Sequence, residues 1–261
     1  MCRLLGYLGP TIQLEEILYK PKHSLIVQSY QPLEMQEALL NADGYGVGWY
    51  HPTRHSQPFI YRSISPIWND QNLPPLSRYV ESNGMLAYVR SATPGQAVNL
   101  VNCQPFQSEN LLFTHNGYID QFRQTLHRPM RDRLSNPIYE KIEGTTDSEH
   151  IFGLFLQELA SRNSASLEHV LEATLKTLTE LAQQVKVLAT VLISDGQQMV
   201  ASRFALSGTA PTLYWLKNDP QFPDAVIFAS EPLFPGEWHP CPEQTIVHVG
   251  EDRDIHFHKL P

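Results

Sequence analysis

Hydrophobic and polar residues follow two kinds of pattern along this 261-residue chain, and each kind predicts a different element. Short apolar segments bounded by glycine, proline or asparagine predict β-strands near both ends of the chain. The predicted strands are 3–8, 46–50, 58–63, 84–92, 110–115, 188–194, 212–216, 225–230, 245–250 and 254–259. The dipeptide Asp195-Gly196 predicts a hairpin between one of these strands and the residues that come next.

Apolar residues spaced three and four positions apart predict two long helices in the middle of the chain. The first begins at Thr146-Asp147-Ser148-Glu149, which has the form of a capping box, and the second covers about 165–186. A shorter helix is predicted at 12–19, with Thr11 as its cap. Two proline-rich segments predict irregular loops that are candidates for substrate binding: 20–45 and 64–76.

The segment 188–193 is apolar on both faces, so both faces of this strand must be covered. If helices cover one face and a second sheet covers the other, the fold class is α+β. The architecture is then a four-layer αββα sandwich of two antiparallel sheets flanked by helices. A two-layer α+β fold would give a similar pattern. The length suits one large domain or two small ones.

Composition narrows the classes of function. Hydrophobic residues make up 42% of the chain and charged residues 18%, which is typical of a globular protein. The net charge of -8, without a basic stripe, argues against a nucleic-acid partner. No apolar run approaches the ~20 residues of a membrane helix, so no membrane partner is expected. The three cysteines do not suggest a disulfide framework and fit a reducing compartment, which predicts a cytoplasmic location.

Cys2 is the first candidate for chemistry, because removal of Met1 would place a thiol and a free α-amine on one residue. The amine has an ordinary pKa of about 8 and the thiol of about 8.5, so the amine can act as a general base near neutral pH. We therefore predict Cys2 as a nucleophile that needs no histidine. Taken alone, a cysteine in this position would more often be a small buried hydrophobic residue.

Arg90 and Thr93 come at the end of an apolar strand, just before a Pro-Gly turn. The planar guanidinium suits a bidentate grip on a carboxylate, so these two residues are candidates for binding a substrate carboxylate. The ordinary alternative for Arg90 is a surface charge or a structural ion pair.

The segment His115-Asn116-Gly117 ends another predicted strand. The side-chain amide of Asn116 and the backbone N–H of Gly117 are candidates for a two-donor oxyanion hole, although Asn-Gly is also an ordinary turn. Asp147, in the first turn of a predicted helix, is a candidate for binding a substrate ammonium; its ordinary role would be to stabilise the helix start. Arg90 and Asp147 together would recognise both charges of a free α-amino acid.

Two other patterns carry no predicted function. The glycine-rich segment 41–49 lacks the spacing and the flanking elements of a nucleotide-binding loop, so its glycines are predicted to allow close backbone packing. His256 and His258 would lie on one face of a strand, but no acidic or cysteine partner stands at a suggestive spacing. No metal and no cofactor are therefore expected.

In their order and spacing, these segments resemble the class II glutamine amidotransferases, which have the N-terminal-nucleophile hydrolase fold. The matching segments are Met1-Cys2, 43–49, 89–93, 115–117 and 146–149, and 188–204 and 229–233 resemble the second half of the same family less specifically. The resemblance implies the four-layer sandwich as a single domain over 1–261, with Met1 removed to expose Cys2. The roles that it implies are a nucleophile at Cys2, an oxyanion hole at Asn116 and Gly117, glutamyl carboxylate binding by Arg90 and Thr93, and ammonium binding by Asp147.

Within that family, segments 25–30, 40–44 and 89–93 resemble the branch that hydrolyses γ-glutamyl-hercynylcysteine sulfoxide in ergothioneine biosynthesis. This resemblance implies a γ-glutamyl thioester on Cys2 and release of hercynylcysteine sulfoxide and glutamate. Because no synthase domain follows, a small-molecule γ-glutamyl substrate and no obligatory protein partner are expected. Aromatic faces could hold the trimethylammonium group of this substrate. The aromatic candidates in or near the predicted loops are Tyr30, Tyr45, Trp49 and Trp68.

The main alternative is a glutaminase or amidotransferase subunit that releases ammonia from glutamine for a partner synthetase. A non-catalytic binding protein on the same fold is disfavoured, because the candidate nucleophile and all its helpers are present. A self-processing, peptidase-like relative is also disfavoured, because the best nucleophile already stands at position two.

Overall fold

The structure, a computed structural model, describes residues 2–34, 40–51, 53, 55–93, 95–162 and 165–260. The predicted removal of Met1 and the proline of the predicted Pro-Gly turn lie outside the described residues. The strands in the described part are β1 (Arg3–Gln13), β2 (Tyr45–His51), β3 (His55–Ser63), β4 (Glu81–Val89), β5 (Phe106–Ser108), β6 (Leu111–Ile119), β7 (Val187–Ser194), β8 (Met199–Leu206), β9 (Tyr214–Asp219), β10 (Phe222–Ala229), β11 (His239–Pro240), β12 (Thr245–Val249) and β13 (Ile255–Lys259). The helices there are α1 (Glu15–Leu18), α2 (Leu25–Gln28), α3 (Leu73–Tyr79), α4 (His127–Arg131), α5 (Asn136–Tyr139), α6 (Asp147–Ser161) and α7 (Leu167–Ala182).

The strands form two sheets in which the paired neighbours run antiparallel. The first sheet has seven strands in the order β11-β9-β10-β1-β4-β2-β3. The second has six strands in the order β13-β12-β8-β7-β6-β5. In the part of the chain that the structure describes, no helix has the length and apolar content needed to cross a membrane.

Three apolar layers hold the sheets and helices together. Between the two sheets, side chains such as Leu4 and Leu192 are fully buried. The outer face of the first sheet packs against α1–α3 through residues such as Leu5 and Ile17, and α6 and α7 cover the second sheet through residues such as Phe155. Each buried side chain of this size contributes about 1.5–3 kcal/mol. The predicted four-layer αββα sandwich is therefore confirmed, and the two-layer alternative is wrong.

The first strand is longer than the sequence predicts, and it displaces the helix predicted at 12–19. β1 continues to Gln13, which pairs with Glu81 of β4 after a bulge. The helix that follows, α1, covers only four residues, and its N-cap is Leu14. Thr11, the predicted cap, lies within the strand. Pairing across the sheet has overridden the local helix signal.

Both proline-rich segments contain short helices that the sequence pattern did not reveal. α2 lies within the first segment and begins after Ser24, whose Oγ accepts the N–H of Val27. α3 overlaps the second segment and carries prolines in its first turn, where the missing N–H is not needed for the helix.

The start of α6 confirms one half of the predicted capping box. The hydroxyl of Thr146 accepts the N–H of Glu149 at 3.2 Å. The carboxylate of Glu149 accepts the N–H groups of Glu143 and Gly144, at 2.9 and 2.7 Å, instead of reaching back to Thr146. Burial raises the pKa of Glu149 although these two donors act against the shift. The carboxylate thus fixes the loop that leads into the helix.

The hairpin predicted at Asp195-Gly196 is confirmed. β7 and β8 are joined by a turn in which Oδ1 of Asp195 accepts the N–H groups of Gln197 and Gln198, both at 2.9 Å. This turn fixes the register of the two central strands of the second sheet, so that Ser194 pairs with Met199.

The start of β1 lies in the middle of the first sheet, beside the end of β4. Arg3 pairs with Val89, and Val89 pairs on its other side with Tyr45 at the start of β2. On the opposite flank of β1, Leu5 pairs with Ala229 at the end of β10. Cys2 and the segments that adjoin these strand ends therefore meet at one end of the sheet.

Candidate active site

Cys2 lies directly before β1, with its side chain only 8% exposed. Its Sγ accepts a hydrogen bond from the N–H of Ser91 at 3.3 Å and lies 3.4 Å from the Ser91 carbonyl, to which the thiol can donate. Ser91 directly follows Arg90 in the chain. The candidate nucleophile and the candidate carboxylate-binding residue are therefore neighbours at the end of the sheet.

Tyr88 connects three of the candidate residues, and the sequence analysis missed it. This buried side chain points into the layer between the sheets, where Cys2, Arg90 and Asp147 all act electrostatically on its hydroxyl. Burial and the neighbouring Cys2 thiol raise the pKa of Tyr88, so its phenol stays protonated and can donate a hydrogen bond. Its position two residues before Arg90 was a usable signal, because residues i and i+2 share one face of a strand.

Arg90 is 3% exposed and is fixed from several sides. Its N–H donates to the Gly44 carbonyl at 2.8 Å. Its guanidinium donates to the Ala97 carbonyl and to Oε1 of Gln96, both at 3.3 Å. Within the described residues the guanidinium forms no ion pair, so the surface-charge and ion-pair alternatives for Arg90 are wrong. A buried cation without a carboxylate partner is suited to bind an anionic ligand.

Thr93 lies on the loop that follows β4, and its side chain is exposed. Its carbonyl accepts the N–H of Gln96 at 2.9 Å. The N–H of Ala92 donates to Oδ2 of Asp43 at 2.8 Å, which holds the start of this loop against the segment before β2. The structure thus places Thr93 three residues from Arg90, at the surface and outside the buried cluster.

Asn116 lies inside β6, because this strand continues beyond the predicted end to Ile119. Gly117 pairs with Ala189 of β7, so the prediction that His115-Asn116-Gly117 ends a strand is wrong. Strand alternation directs Asn116 into the layer between the sheets, as it does Leu112. Both atoms of the fully buried amide, Oδ1 and Nδ2, lack a hydrogen-bond partner among the described residues. An unpaired buried amide is costly, so this side chain is available to a polar ligand.

Two glycines near the site sit where no other residue fits. Gly117 has a φ of +151°, and a Cβ added there would lie 1.8 Å from the Leu188 carbonyl oxygen. A Cβ on Gly46 would lie 2.2 Å from the Gln104 carbonyl oxygen. The prediction that the glycines of segment 41–49 allow close backbone packing is confirmed at Gly46.

His115 fixes β6 against its neighbours. Its Nε2 lies 3.0 Å from the Leu188 carbonyl, which can only accept, so Nε2 carries the hydrogen. Its Nδ1 then accepts from the hydroxyl of Ser148 on α6, at 2.8 Å. Burial lowers the pKa of His115 and keeps the ring neutral, as this arrangement requires. His115 therefore joins three elements next to Asn116 and Gly117.

Asp147 is the first residue of α6 and is 8% exposed. Its Oδ2 accepts the N–H of Ile119 at 2.8 Å, and its Oδ1 accepts the N–H of Ser148 at 2.8 Å. The carboxylate therefore joins the end of β6 to the helix start, as its ordinary role predicts. A carboxylate has about four acceptor positions, so Asp147 can accept further hydrogen bonds from an ammonium group.

Two of the four aromatic candidates for a cation site are wrong. Tyr45 and Trp49 are buried on the helix-covered face of the first sheet, and the Tyr45 hydroxyl donates to Oδ2 of Asp70 at 2.6 Å. Tyr30 and Trp68 are 43% and 41% exposed, and their ring centroids lie 5.7 Å apart in an edge-to-face arrangement. Of the four candidates, only Tyr30 and Trp68 are exposed enough to present an aromatic face to solvent.

A groove of about 680 Å³ lies between the edges of β3 and β5 and the helices α5 and α6. None of the six candidate site residues lines it.

His258 contacts Glu172 at 3.3 Å, and His256 pairs with His248 across two strands. Over the ranges that the structure describes, no three histidine, cysteine or acidic side chains are grouped as a metal site would require.

His150 lies one turn into α6 and is fully buried. Its Nδ1 donates to the Thr146 carbonyl at 2.7 Å, and its Nε2 accepts from Nε of Arg131 at 3.1 Å. Burial, together with the nearby Arg131 and His127, lowers the pKa of His150 to about 4. The neutral ring therefore holds α4 against the helix that carries Asp147.

We expect acid to destabilise the fold partly through His150. Its folded pKa lies below the unfolded value of about 6.5, so the unfolded chain binds the proton more tightly between these values. The free energy of unfolding should fall as the pH drops through this window, by about 2.5 kcal/mol between pH 7 and 4.5 for this residue. In urea denaturation at both pH values, the free energy of unfolding of a His150→Gln variant should therefore fall by about 2.5 kcal/mol less than that of the wild type. Exposed His55→Gln is the control, and equal losses for wild type and His150→Gln would contradict the prediction.

A family model described as class-II glutamine amidotransferases matches residues 20–228 of this chain. The chain belongs to this family. One relative, the γ-glutamyl-hercynylcysteine sulfoxide hydrolase of Mycolicibacterium smegmatis, is 30% identical over 263 aligned positions that cover 100% of both chains. Another, the probable glutamine amidotransferase DUG3 of Saccharomyces cerevisiae, is 29% identical, with 95% of this chain and 82% of that protein covered.

Solved structures of class II glutamine amidotransferases share the fold of this chain. A class-II domain protein from Silicibacter pomeroyi has a TM-score of 0.71 at 22% identity, with 99% of both chains covered. Glutamine phosphoribosylpyrophosphate amidotransferase from B. subtilis has a TM-score of 0.68 at 16% identity, with 98% of this chain and 49% of that chain covered. The predicted N-terminal-nucleophile hydrolase fold is confirmed, and the chain is an amidohydrolase of this class.

Proposed function

We propose that this enzyme hydrolyses a γ-glutamyl amide through a thioester on Cys2, after Met1 has been removed. The observation that carries the proposal is the surroundings of the Cys2 thiol. The thiol is hydrogen-bonded to Ser91 beside a buried Arg90 that has no carboxylate partner in the described part of the chain. Arg90 would bind the α-carboxylate of the glutamyl group with help from Thr93, and Asp147 would bind its α-ammonium.

The reaction that we propose begins with attack of Sγ of Cys2 on the γ-carbonyl carbon, while the α-amine of Cys2 takes the thiol proton. The negative charge on the carbonyl oxygen would be held by the amide of Asn116 and the N–H of Gly117. Collapse of this intermediate breaks the C–N bond, and the α-ammonium returns the proton to the leaving amine. Water then attacks the thioester, with the amine again as base, and glutamate is released.

The substrate that we propose is γ-glutamyl-hercynylcysteine sulfoxide, which would yield hercynylcysteine sulfoxide and glutamate. The end-to-end similarity to the Mycolicibacterium smegmatis enzyme of that name supports this choice. The alternative is a glutaminase or amidotransferase subunit that supplies ammonia from glutamine to a partner synthetase, and the similarity to DUG3 favours it. The three free cysteines fit the cytoplasmic location that we propose for the enzyme.

A direct comparison of two substrates tests the proposal. The purified protein is assayed for glutamate release from the hercynylcysteine sulfoxide conjugate and from glutamine. We expect kcat/KM to be at least about 100-fold higher for the conjugate, because its larger leaving group adds contacts that ammonia cannot make. Equal values, or a preference for glutamine, would favour the glutaminase alternative. No release from either substrate would refute the proposed activity.

The exposed pair Tyr30 and Trp68 should contribute to recognition of the trimethylammonium group. A cation held on an aromatic face gains about 0.5–2 kcal/mol, so alanine at either position should lower kcat/KM for the conjugate by about 3- to 30-fold. Turnover of glutamine, which lacks this cation, should change little. Tyr79→Ala is the matched control, because Tyr79 is 91% exposed. If both substrates lose activity equally in the Tyr30 and Trp68 variants, this pair has no part in recognising the cation.

A further inference from the structure

A buried ion pair lies directly behind Cys2. Successive side chains of a strand point to opposite faces, so Arg3 points to the helix-covered face of the first sheet while Cys2 points between the sheets. Nε of Arg3 lies 2.9 Å from Oε1 of Glu231, and both side chains are 1% exposed. Nη1 of Arg3 donates to the carbonyl of Cys2 at 2.9 Å. The guanidinium thus contacts the main chain of the residue proposed as the nucleophile.

Glu231 also holds the segment that leads to β2. Its carboxylate accepts the N–H groups of Leu33 and Glu34, at 2.8 and 3.1 Å, and contacts Nε2 of His23 at 2.7 Å. Burial acts to raise the pKa of Glu231, but the contact with His23, these N–H donors and the charge of Arg3 together hold it below its usual value. Glu231 is therefore ionised, and it connects residues 23–34 to the start of β1.

The pair is poorly suited to a purely structural role. Nη2 of Arg3 has no hydrogen-bond partner among the described residues, and Nε approaches Glu231 without hydrogen-bond geometry. Burying an ion pair that is incompletely hydrogen-bonded costs more than burying apolar side chains of the same volume. The positive charge of Arg3 is therefore available for a role beside Cys2.

We propose that Arg3 is a positioning residue for the reaction proposed above: it fixes the main chain of Cys2, and its charge, moderated by Glu231, keeps the α-amine of Cys2 unprotonated. The carbonyl that Arg3 holds and the α-amine belong to the same residue, so the guanidinium lies close enough to disfavour a second positive charge. The inference rests on the proposed function of Cys2 as nucleophile and base.

The charged and titratable groups that face Cys2 come from several elements. Arg90, directly after β4, adds to the positive charge of Arg3, and Asp147 on α6 opposes it. Glu231 and Glu34 act on Arg3 itself. The groups are Arg3, Tyr88, Arg90, Asp147, Glu34 and Glu231. Single substitutions at Arg3 and Glu231 change only the electrostatic effect of this ion pair on the α-amine of Cys2. They leave Tyr88, Arg90 and Asp147 unchanged.

The test measures the rate at which phenyl isothiocyanate labels the α-amine of Cys2 as a function of pH, in Met1-free protein whose thiols are blocked as methyl disulfides, read by mass spectrometry of the N-terminal peptide. Arg3→Met should move the acidic limb of this profile about one unit to higher pH, because protonation of the amine becomes easier. Glu231→Gln should move it in the opposite direction, because the charge of Arg3 is no longer moderated. The matched controls Arg128→Met and Asp132→Asn alter an exposed pair and should leave the profile unchanged.

The proposal is supported if the acidic limb moves to higher pH in Arg3→Met and to lower pH in Glu231→Gln. A merely structural role would lower both rates without shifting the limb in opposite directions. Shifts in the same direction, or no shift, overturn the proposal. If Arg3→Met does not fold, Arg3→Lys keeps the charge and should retain the wild-type limb, while Glu231→Gln must still move to lower pH. Because the readout needs no substrate, failure of the proposed hydrolysis and failure of this inference are distinguishable.

Discussion

A Cys2→Ala variant should show no measurable release of glutamate, a loss of at least about 10³-fold in kcat. The variant lacks the sulfur that is proposed to form the thioester, and neither of the other two thiols is expected to replace it. Cys103 and Cys241 are fully buried, and burial raises the pKa of both thiols, that of Cys241 to about 12. The measurement is steady-state glutamate release together with mass spectrometry of acid-quenched enzyme, which should gain one γ-glutamyl group only when Cys2 is present.

Cys241→Ala is the matched control for the loss of a thiol and should keep turnover near that of the wild type. Retention of Met1 should inactivate the enzyme without any change of side chain, because the base would then be an amide nitrogen. In preparations of mixed N-termini, activity should rise in proportion to the Met1-free fraction seen by intact mass. Full turnover by Cys2→Ala or by protein that retains Met1 would contradict the proposed mechanism.

An Asn116→Leu variant should lose activity while it gains stability. The side-chain amide is proposed to stabilise the oxyanion, and removal of one such donor lowers kcat by about 10²–10³-fold. In the free protein both amide atoms are buried without a partner among the described residues, so an apolar side chain of similar size removes an unsatisfied polar group. The free energy of unfolding should therefore rise by about 1 kcal/mol. Kinetics and urea denaturation on the same preparation measure both effects.

Asn136→Leu, on the exposed surface of α5, is the control and should change neither quantity strongly. KM for the γ-glutamyl substrate should be little altered in Asn116→Leu, since the donor acts mainly on the transition state. A stability loss together with a lower kcat would indicate that Asn116 supports the fold. An unchanged kcat would remove it from the oxyanion hole.

Local signals predicted the elements that depend on neighbours in sequence. The cap at Thr146 and the hairpin turn at Asp195 each rest on hydrogen bonds that span two or three residues, and both are confirmed. Elements that depend on a distant partner were predicted less well. β1 extends through Thr11 because β4 offers it a pairing edge about seventy residues later, and no local pattern reports that edge.

The same distinction applies to the site. Arg90 and Asn116 could be chosen from their motifs, because residue type and position at a strand suggest their chemistry. The connection between Arg3 and Glu231 could not, because the two side chains meet only after β1 and β10 have paired. Tyr45 and Trp49 were misassigned to a ligand pocket, although both share a strand face with the core residue Val47. Alternation along β2 would have placed them correctly.

The pairing of β1 with β10 has a consequence for the synthesis of the protein. β1 leaves the ribosome long before one of its two partners, residues 222–229, has been synthesised. Until then the amino-terminal segment lacks a neighbour on one edge, and pairing over such a sequence separation is slow. Cys2, the proposed nucleophile directly before β1, is therefore set in its final surroundings only after residues 222–229 have been made, and the proposed hydrolysis cannot begin earlier.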